Sequence, residues 1–166
     1  MKNSNSHNNN IHPLEDIIGL LGQVPLFDLL DEGEIKVIAG YTETRPISSG
    51  KVLFNEGDRG NYVCFVVDGV LDVVKTSKTS DDVVLASLKR GRSTGEMSLI
   101  DDFPRSATIK AQTNASLLIL DRARFDELLE DHSMVGIKVL KGITKLVCEN
   151  LRKTSERLAG YMMPLS

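Results

Sequence analysis

Residues 91–111 read GRSTGEMSLIDDFPRSATIKA, and the rest of the chain is organised around this stretch. Gly95 allows a ligand to approach the backbone where a side chain would block it. Glu96 beside it offers two acceptor oxygens, which suits a pair of hydroxyl groups. Arg105 offers a planar fork of N–H donors that matches phosphate geometry. The stretch therefore predicts a site for a phosphate attached to a sugar.

The segment between these groups is long enough for one helical turn, at 97–101. The first amides of such a turn have no partner within the helix and lie at the positive end of its dipole, so they favour a phosphate oxygen. Ser106, next to Arg105, adds a hydroxyl donor. One arginine with these neutral donors suits a small, singly charged phosphodiester.

The order and spacing of this stretch, GEMSL at 95–99 followed by PRSAT at 104–108, resemble the phosphate-binding cassette of cyclic nucleotide-binding domains. The catabolite activator protein is one member of that family. The resemblance implies that Glu96 binds the ribose 2′-hydroxyl and that Arg105 binds the cyclic phosphate. It also implies assisting contacts from two backbone amides and one hydroxyl, those of Met97, Ser98 and Ser106. Residues 95–108 are termed the cassette below.

Two residues before the cassette depart from the family pattern Gly-Asp-x-Phe-Gly-Glu. Arg92 stands in place of the acid and Thr94 in place of the aromatic residue. We expect both to alter packing behind the cassette more than ligand contacts. The alternative is that the Gly-Glu and Pro-Arg pairs are ordinary turn and surface residues, or that the domain keeps its fold with a silent pocket.

The composition is that of one globular domain. The chain has 166 residues, of which 41% are hydrophobic and 26% charged, so it is long enough to bury a substantial core. The net charge of −3 argues against a dominant nucleic-acid surface, which would be basic.

The sequence also bears on location and on cysteine chemistry. No apolar run has the length of a membrane span, and residues 1–10 are too polar for a signal peptide, so we expect a cytoplasmic protein. Two cysteines do not make a disulfide framework. We expect both Cys64 and Cys148 to be core thiols.

The pattern along the chain predicts a mainly β fold with flanking helices. Residues 1–12 are predicted to form a disordered tail, and 14–21 and 31–39 to form helices, while residue 121 is an N-cap for a helix that ends near 130. Short apolar runs separated by turn residues predict the strands 51–54, 62–67, 70–75, 83–88, 106–111 and 116–120.

We interpret these strands as an antiparallel β-barrel of the jelly-roll (double-stranded β-helix) type, within a domain that covers 13–132. The dipeptide Asp68-Gly69 predicts a two-residue hairpin, and 78–82 predict a polar loop. The N-terminal helices precede this barrel and a long helix follows it.

The long C-terminal helix, 133–160, carries a heptad seam that predicts a homodimer. The seam residues are Ile137, Leu140, Thr144, Val147, Leu151, Thr154, Leu158 and Tyr161. A second stripe, at Val139, Ile143 and Leu146, is expected to pack on the barrel. The alternative is a helix wholly absorbed by its own domain. The resemblance further implies that Thr154 contacts the base bound by the partner subunit. The alternative is that Thr154 is a polar residue of the seam with no role in ligand binding.

Other functions find less support in the sequence. His7, His12 and His132 lie outside the predicted strands, so we expect no metal, no catalytic dyad and no enzyme activity. The DNA-reading domain that follows the dimer helix in the activator family is absent from 161–166, so direct DNA binding is not expected. The sequence thus predicts a stand-alone sensor that binds cAMP in preference to cGMP, with an unknown downstream partner. The alternative is a dimerisation or interaction module with a silent pocket or a different ligand.

Overall fold

A computed structural model of the protein describes residues 13–76 and 82–162. Within these ranges the chain forms eight strands: β1 Glu43–Ile47, β2 Val52–Phe54, β3 Tyr62–Asp68, β4 Leu71–Thr76, β5 Asp82–Leu88, β6 Ser93–Thr94, β7 Thr108–Ala111 and β8 Ala115–Asp121. They make two four-stranded antiparallel sheets, in the orders β1-β8-β3-β6 and β2-β7-β4-β5. The predicted tail at 1–12 and most of the predicted polar loop at 78–82 lie outside the described residues.

The helices flank these sheets. Their bounds are α1 Leu14–Leu21, α2 Glu32–Ala39, α3 Arg122–Asp131 and α4 Ser133–Met162, with two 3₁₀ turns that we term the entry turn, Pro25–Phe27, and the cassette turn, Glu96–Leu99. Asp31 caps α2 in a reciprocal capping box with Glu34, and Asp121 accepts the Arg124 amide at the start of α3. These caps explain why the predicted helix starts are confirmed.

The predicted fold class is confirmed, with two facing sheets in place of a closed barrel. Two strands were not predicted. The strand β1 reads ETRPI, in which Pro46 and the charged residues hide any apolar alternation. The strand β6 has only two residues, too few to show a period.

The hairpin predicted at Asp68-Gly69 is wrong. The strand β3 pairs with β6 and β8, whereas β4 pairs with β5 and β7, so the turn links two different sheets. Turn chemistry predicts where the chain reverses. The partner of β3 is decided by the apolar run of β8, since both strands are buried on both faces.

The sheet β1-β8-β3-β6 separates two apolar cores. One set of β3 side chains, including Cys64 and Val66, packs between the two sheets with Leu117 of β8. The alternate set, including Phe65, packs against the helices, where its ring lies 5.3 Å from that of Phe27. The helical layer therefore packs on one face of this sheet, while the space between the sheets holds the second core and, beside it, the site.

The cysteine prediction is half correct. Cys64 is fully buried, and burial raises the pKa of its thiol to about 12. Cys148 is exposed, so its assignment to the core is wrong. Its position on α4 follows Val147, which is also exposed, on the side of the helix that faces away from the domain.

The helix α4 is docked along its first half only. Val139 and Ile143 of the predicted second stripe are buried in the core on the helical side, while Leu146 is half-buried. The principal neighbours of α4 are α3 and the entry turn, whereas the stripe was expected to pack on the barrel. Lys138 Nζ donates to both carboxylate oxygens of Glu34, at 2.6 and 2.7 Å. Residues 151–160 are all exposed, so the domain does not absorb the whole helix. Although α4 is long, no helix in the described ranges combines the length and apolarity that a membrane crossing needs.

Candidate functional site

A cavity of about 250 Å³ opens between the cassette and the strands of both sheets. Its walls include six of the predicted site residues, namely Gly95, Glu96, Met97, Ser98, Arg105 and Ser106. Its apolar floor comes from strands on the far side, with Phe54, Val73, Leu88 and Ile109. The cavity thus combines a polar wall from one continuous segment with an apolar wall assembled from several strands.

The cassette turn begins at Gly95, which has a left-handed φ of 83°. A Cβ at this position would overlap the Arg105 guanidinium, so only glycine fits both the backbone and the side-chain packing. Glu96 is half-buried at the start of the turn. The Ser98 amide donates to the Gly95 carbonyl at 3.0 Å, so it is engaged within the turn. This differs from the implied role of that amide in phosphate binding.

Arg105 is held by contacts to three other parts of the site. One terminal nitrogen donates to the hydroxyl of Ser98 and the other to the carbonyl of Tyr62, each at 2.9 Å. The guanidinium carbon lies 4.0 Å from the ring centroid of Phe54 and 4.6 Å from that of Tyr62. These aromatic contacts favour a cation and fix the plane of the fork.

The charge of Arg105 is buried in the wall of the cavity. The residue is 5% exposed, and its Nε is a buried donor that has no hydrogen-bond partner among the residues the structure describes. Among the described residues no carboxylate forms an ion pair with it. Burial lowers the pKa of Arg105 from its ordinary value, but a guanidinium remains protonated at neutral pH. An unpaired buried charge is costly, so this arrangement favours an anion beside Nε.

The loop before β3 secures the backbone of Arg105. The Gly57 amide donates to the Arg105 carbonyl at 2.9 Å, and the Arg105 amide donates to the Asp58 carbonyl at 2.8 Å. Gly60 of the same loop faces the side chain, where a Cβ would overlap Arg105 Nε and Ser98 Oγ. This loop therefore sets both the position of the arginine and the space around it.

Three predicted features lie elsewhere or differ from expectation. Thr154 is exposed on α4 outside the cavity, and its hydroxyl donates to the Asn150 carbonyl at 2.8 Å. Thr94 lines the cavity itself, whereas it was expected to alter packing behind the cassette more than ligand contacts. Arg92 is exposed beside a neighbouring groove that is shared with Asn150. In 13–76 and 82–162 no three His, Cys, Asp or Glu side chains are grouped as metal ligands.

Sequence reasoning missed the residues that hold the arginine in place. Phe54 and Tyr62 were interpreted only as parts of apolar strands, because an aromatic residue in such a run is usually core. Gly60 lies in the segment 55–62, NEGDRGNY, which also resembles the glycine-marked strands of the same family. This resemblance was the available signal, but it assigned no role to Gly60.

Comparison with known proteins identifies one family. The family model for the cyclic nucleotide-binding domain matches residues 44–132. The cAMP-dependent protein kinase regulatory subunit of Schizosaccharomyces pombe is 34% identical over 110 residues, which is 66% of this chain and 26% of that protein. The matched region thus spans about a quarter of that relative.

Two solved structures are similar over most of the chain. A cyclic nucleotide-binding domain from Methylobacillus flagellatus superposes with a TM-score of 0.78 at 26% identity, covering 91% of this chain and 85% of that one. The catabolite activator protein of Thermus thermophilus gives a TM-score of 0.74 at 30% identity, covering 81% of this chain and 62% of that one.

Proposed function

The chain belongs to the cyclic nucleotide-binding domain family, and we propose that its cavity binds one cyclic nucleotide, cAMP in preference to cGMP. The observation that carries this proposal is the buried Arg105, whose Nε has no hydrogen-bond partner and whose charge forms no salt bridge within the described residues. A cyclic phosphate carries a single negative charge to balance the guanidinium and oxygens that accept hydrogen bonds from it. Glu96 lines the same cavity and supplies acceptors for the ribose 2′-hydroxyl.

The preference for cAMP rests on likeness to proteins named for it. The Schizosaccharomyces pombe relative is a cAMP-dependent regulatory subunit. Ser106, the residue after the arginine, is compatible with either purine. The apolar floor at Val73 and Leu88 offers stacking surface to both bases. Titration with each nucleotide therefore decides between cAMP and cGMP.

We further propose a regulatory role without catalysis, in which α4 carries the signal. The seam residues Val147, Leu151 and Leu158 are exposed at 37%, 65% and 58%, which leaves an apolar stripe for a second copy of the chain. In a dimer formed through this stripe, Thr154 of one subunit would lie near the base bound by the other. Ligand would then favour the helix position that completes this contact.

A cytoplasmic location is part of the same proposal. It is supported by a composition without a long apolar run and by two cysteines that are both free thiols, one buried and one exposed.

Calorimetric titration with cAMP, cGMP and 2′-deoxy-cAMP tests the ligand assignment. We expect wild type to bind cAMP, and Arg105→Ala to lose about 3 to 5 kcal/mol of binding free energy because a buried charge loses its partner. Arg45→Ala is the matched control, since the Arg45 guanidinium also lies over the Tyr62 ring, at 5.2 Å, but does not line the cavity.

Removal of the 2′-hydroxyl should weaken wild-type binding by about 1.5 to 3 kcal/mol, the value of a hydrogen bond to a charged group. The same change should have little effect in Glu96→Ala, which has already lost the acceptor. If no cyclic nucleotide binds, or if Arg105→Ala binds like wild type, the pocket is silent or takes another ligand, and the interaction-module alternative stands.

A further inference from the structure

Arg122 contacts the cassette from outside the cavity. It is the first residue of α3, follows β8 directly, and does not line the cavity. Its side chain is 26% exposed. The helix α3 packs on both α4 and the cassette turn, so Arg122 lies where the ligand-binding segment meets the C-terminal helices.

The Arg122 guanidinium caps the end of the cassette turn. Its Nε donates to the Ser98 carbonyl at 2.8 Å. One terminal nitrogen also contacts the carbonyls of Ser98 and Asp101, and the other pairs with the carboxylate of Asp102. The last carbonyls of a helical turn have no hydrogen-bond donor within the turn, and here the N–H groups of Arg122 donate to them.

Ser98 joins this contact to the phosphate site. Its carbonyl accepts from Arg122, and its hydroxyl accepts from Arg105 at 2.9 Å. Ser98 is 4% exposed, so it has little freedom to move between the two guanidinium groups. A displacement of the turn would therefore move the hydroxyl that orients Arg105, and would move Glu96 at the start of the same turn.

We propose that Arg122 is a positioning residue for the cyclic nucleotide site, which fixes the cassette turn against α3 and thereby sets the positions of Arg105 and Glu96. This inference rests on the proposed function. The helix α3 then holds the cassette turn in place and connects it to α4, on which α3 also packs.

Arg122→Met and Arg122→Lys in the full chain test the inference. Arg124→Met is the matched control, because Arg124 lies on the same helix but pairs with Glu127 and lies over the Tyr41 ring. We expect Arg122→Met to bind cAMP at least tenfold more weakly than wild type. Arg122→Lys should fall in between, since an ammonium reaches fewer carbonyls. Arg124→Met should bind like wild type.

Two further readouts separate positioning from general stability. The ratio of cAMP to 2′-deoxy-cAMP affinity should fall toward one in Arg122→Met, because Glu96 has moved. Amide hydrogen exchange at 97–101 in the ligand-free protein should be faster in Arg122→Met than in Arg124→Met, while exchange in β3 and β8 is unchanged. If Arg122→Met does not fold, the same exchange rates are compared between Arg122→Lys and Arg124→Met.

An Arg122→Met protein that keeps the wild-type cAMP affinity, deoxy ratio and exchange pattern would overturn the inference. A variant that is less stable throughout yet keeps its deoxy ratio also overturns it, since Arg122 then has only a structural role. If wild type binds no cyclic nucleotide, the proposed function fails, and the exchange rates still decide whether Arg122 holds the turn.

Discussion

At the scale of single residues, the site depends on how Arg105 is kept in place. Its terminal nitrogens donate to Ser98 and Tyr62, and two aromatic rings fix its plane, while Nε has no hydrogen-bond partner among the described residues. A lysine in this position has no fork to satisfy both partners. The arginine is therefore pre-organised for one anion.

Gly60→Ala should damage the site without replacing any ligand-binding residue. A Cβ there would overlap Arg105 Nε and Ser98 Oγ, so the arginine must shift. We expect a loss of about 1 to 3 kcal/mol in the free energy of unfolding, as for overpacked sites, together with weaker cAMP binding. Urea denaturation and calorimetry measure the two effects.

Gly19→Ala is the control for Gly60→Ala. Gly19 lies in α1, and a Cβ there meets nothing within 4 Å. Alanine is preferred over glycine in helices by about 1 kcal/mol, so this variant should be as stable as wild type or more stable. Normal binding and stability in Gly60→Ala would show that the space beside Arg105 is not limiting.

At the scale of elements, α4 has two roles along one helix. Its first half is fixed to the domain through Val139, Ile143 and the Lys138–Glu34 pair. Its second half is exposed on all sides at 151–160. The docked half is able to report a change at the domain, and the exposed half offers a surface to a partner.

Leu151→Glu should weaken the proposed dimer, because it places like charges across the seam. Lys153→Glu is the control, since it also adds an acid but lies off the seam. Thr154→Ala should leave the dimer intact and reduce both cAMP affinity and discrimination between purines. Sedimentation with and without nucleotide measures these effects. A wild-type protein that stays monomeric at high concentration in both conditions would contradict the dimer.

The Lys138–Glu34 pair should make the docking of α4 sensitive to acid. The hydrogen bond from Lys138, and then that from the Asp31 amide, lower the pKa of Glu34 below its ordinary value of 4.5. A lowered carboxyl pKa stabilises the folded state above the unfolded pKa, and this contribution is lost as the pH falls through the folded value.

We therefore expect Lys138→Met to be less stable than wild type near neutral pH, with a difference that shrinks as the pH falls below about 4. Urea denaturation across this pH range measures it. Lys145→Met removes a longer and more exposed pair with Asp28, at 3.3 Å, and should show a smaller effect. A pH-independent difference for Lys138→Met would mean that its alkyl chain, and not its charge, stabilises the docking.

At the scale of the whole molecule, residues from both sheets line the cavity. Its lining comes from β2, β4, β5 and β7 of one sheet, from β6 of the other, and from the cassette. A ligand that contacts all of these binds only the folded chain. At a hundredfold excess over Kd, cAMP should raise the free energy of unfolding by about 2.7 kcal/mol.

Thermal or urea unfolding with and without cAMP checks this linkage. Arg105→Ala should show no such increase at the same ligand concentration, and Arg45→Ala should show the full one. An equal increase in Arg105→Ala would place the binding site elsewhere on the molecule.

The sequence by itself determined the features that depend on near neighbours. The cassette order predicted six residues that line one cavity, the cap at Asp121 predicted the start of α3, and the apolar runs predicted the core strands. Caps, turns and cassette spacing act within a few residues, so their pattern is visible in the chain.

Only the tertiary structure decided which strands pair, what surrounds Arg105 and which half of α4 is exposed. Tyr62 binds a guanidinium 43 residues away, and Arg122 reaches a carbonyl across 24 residues. The hairpin predicted at Asp68-Gly69 and the core position predicted for Cys148 were wrong for the same reason. Pairing and burial depend on surfaces that meet only after folding, and no local pattern of residues records which surfaces those are.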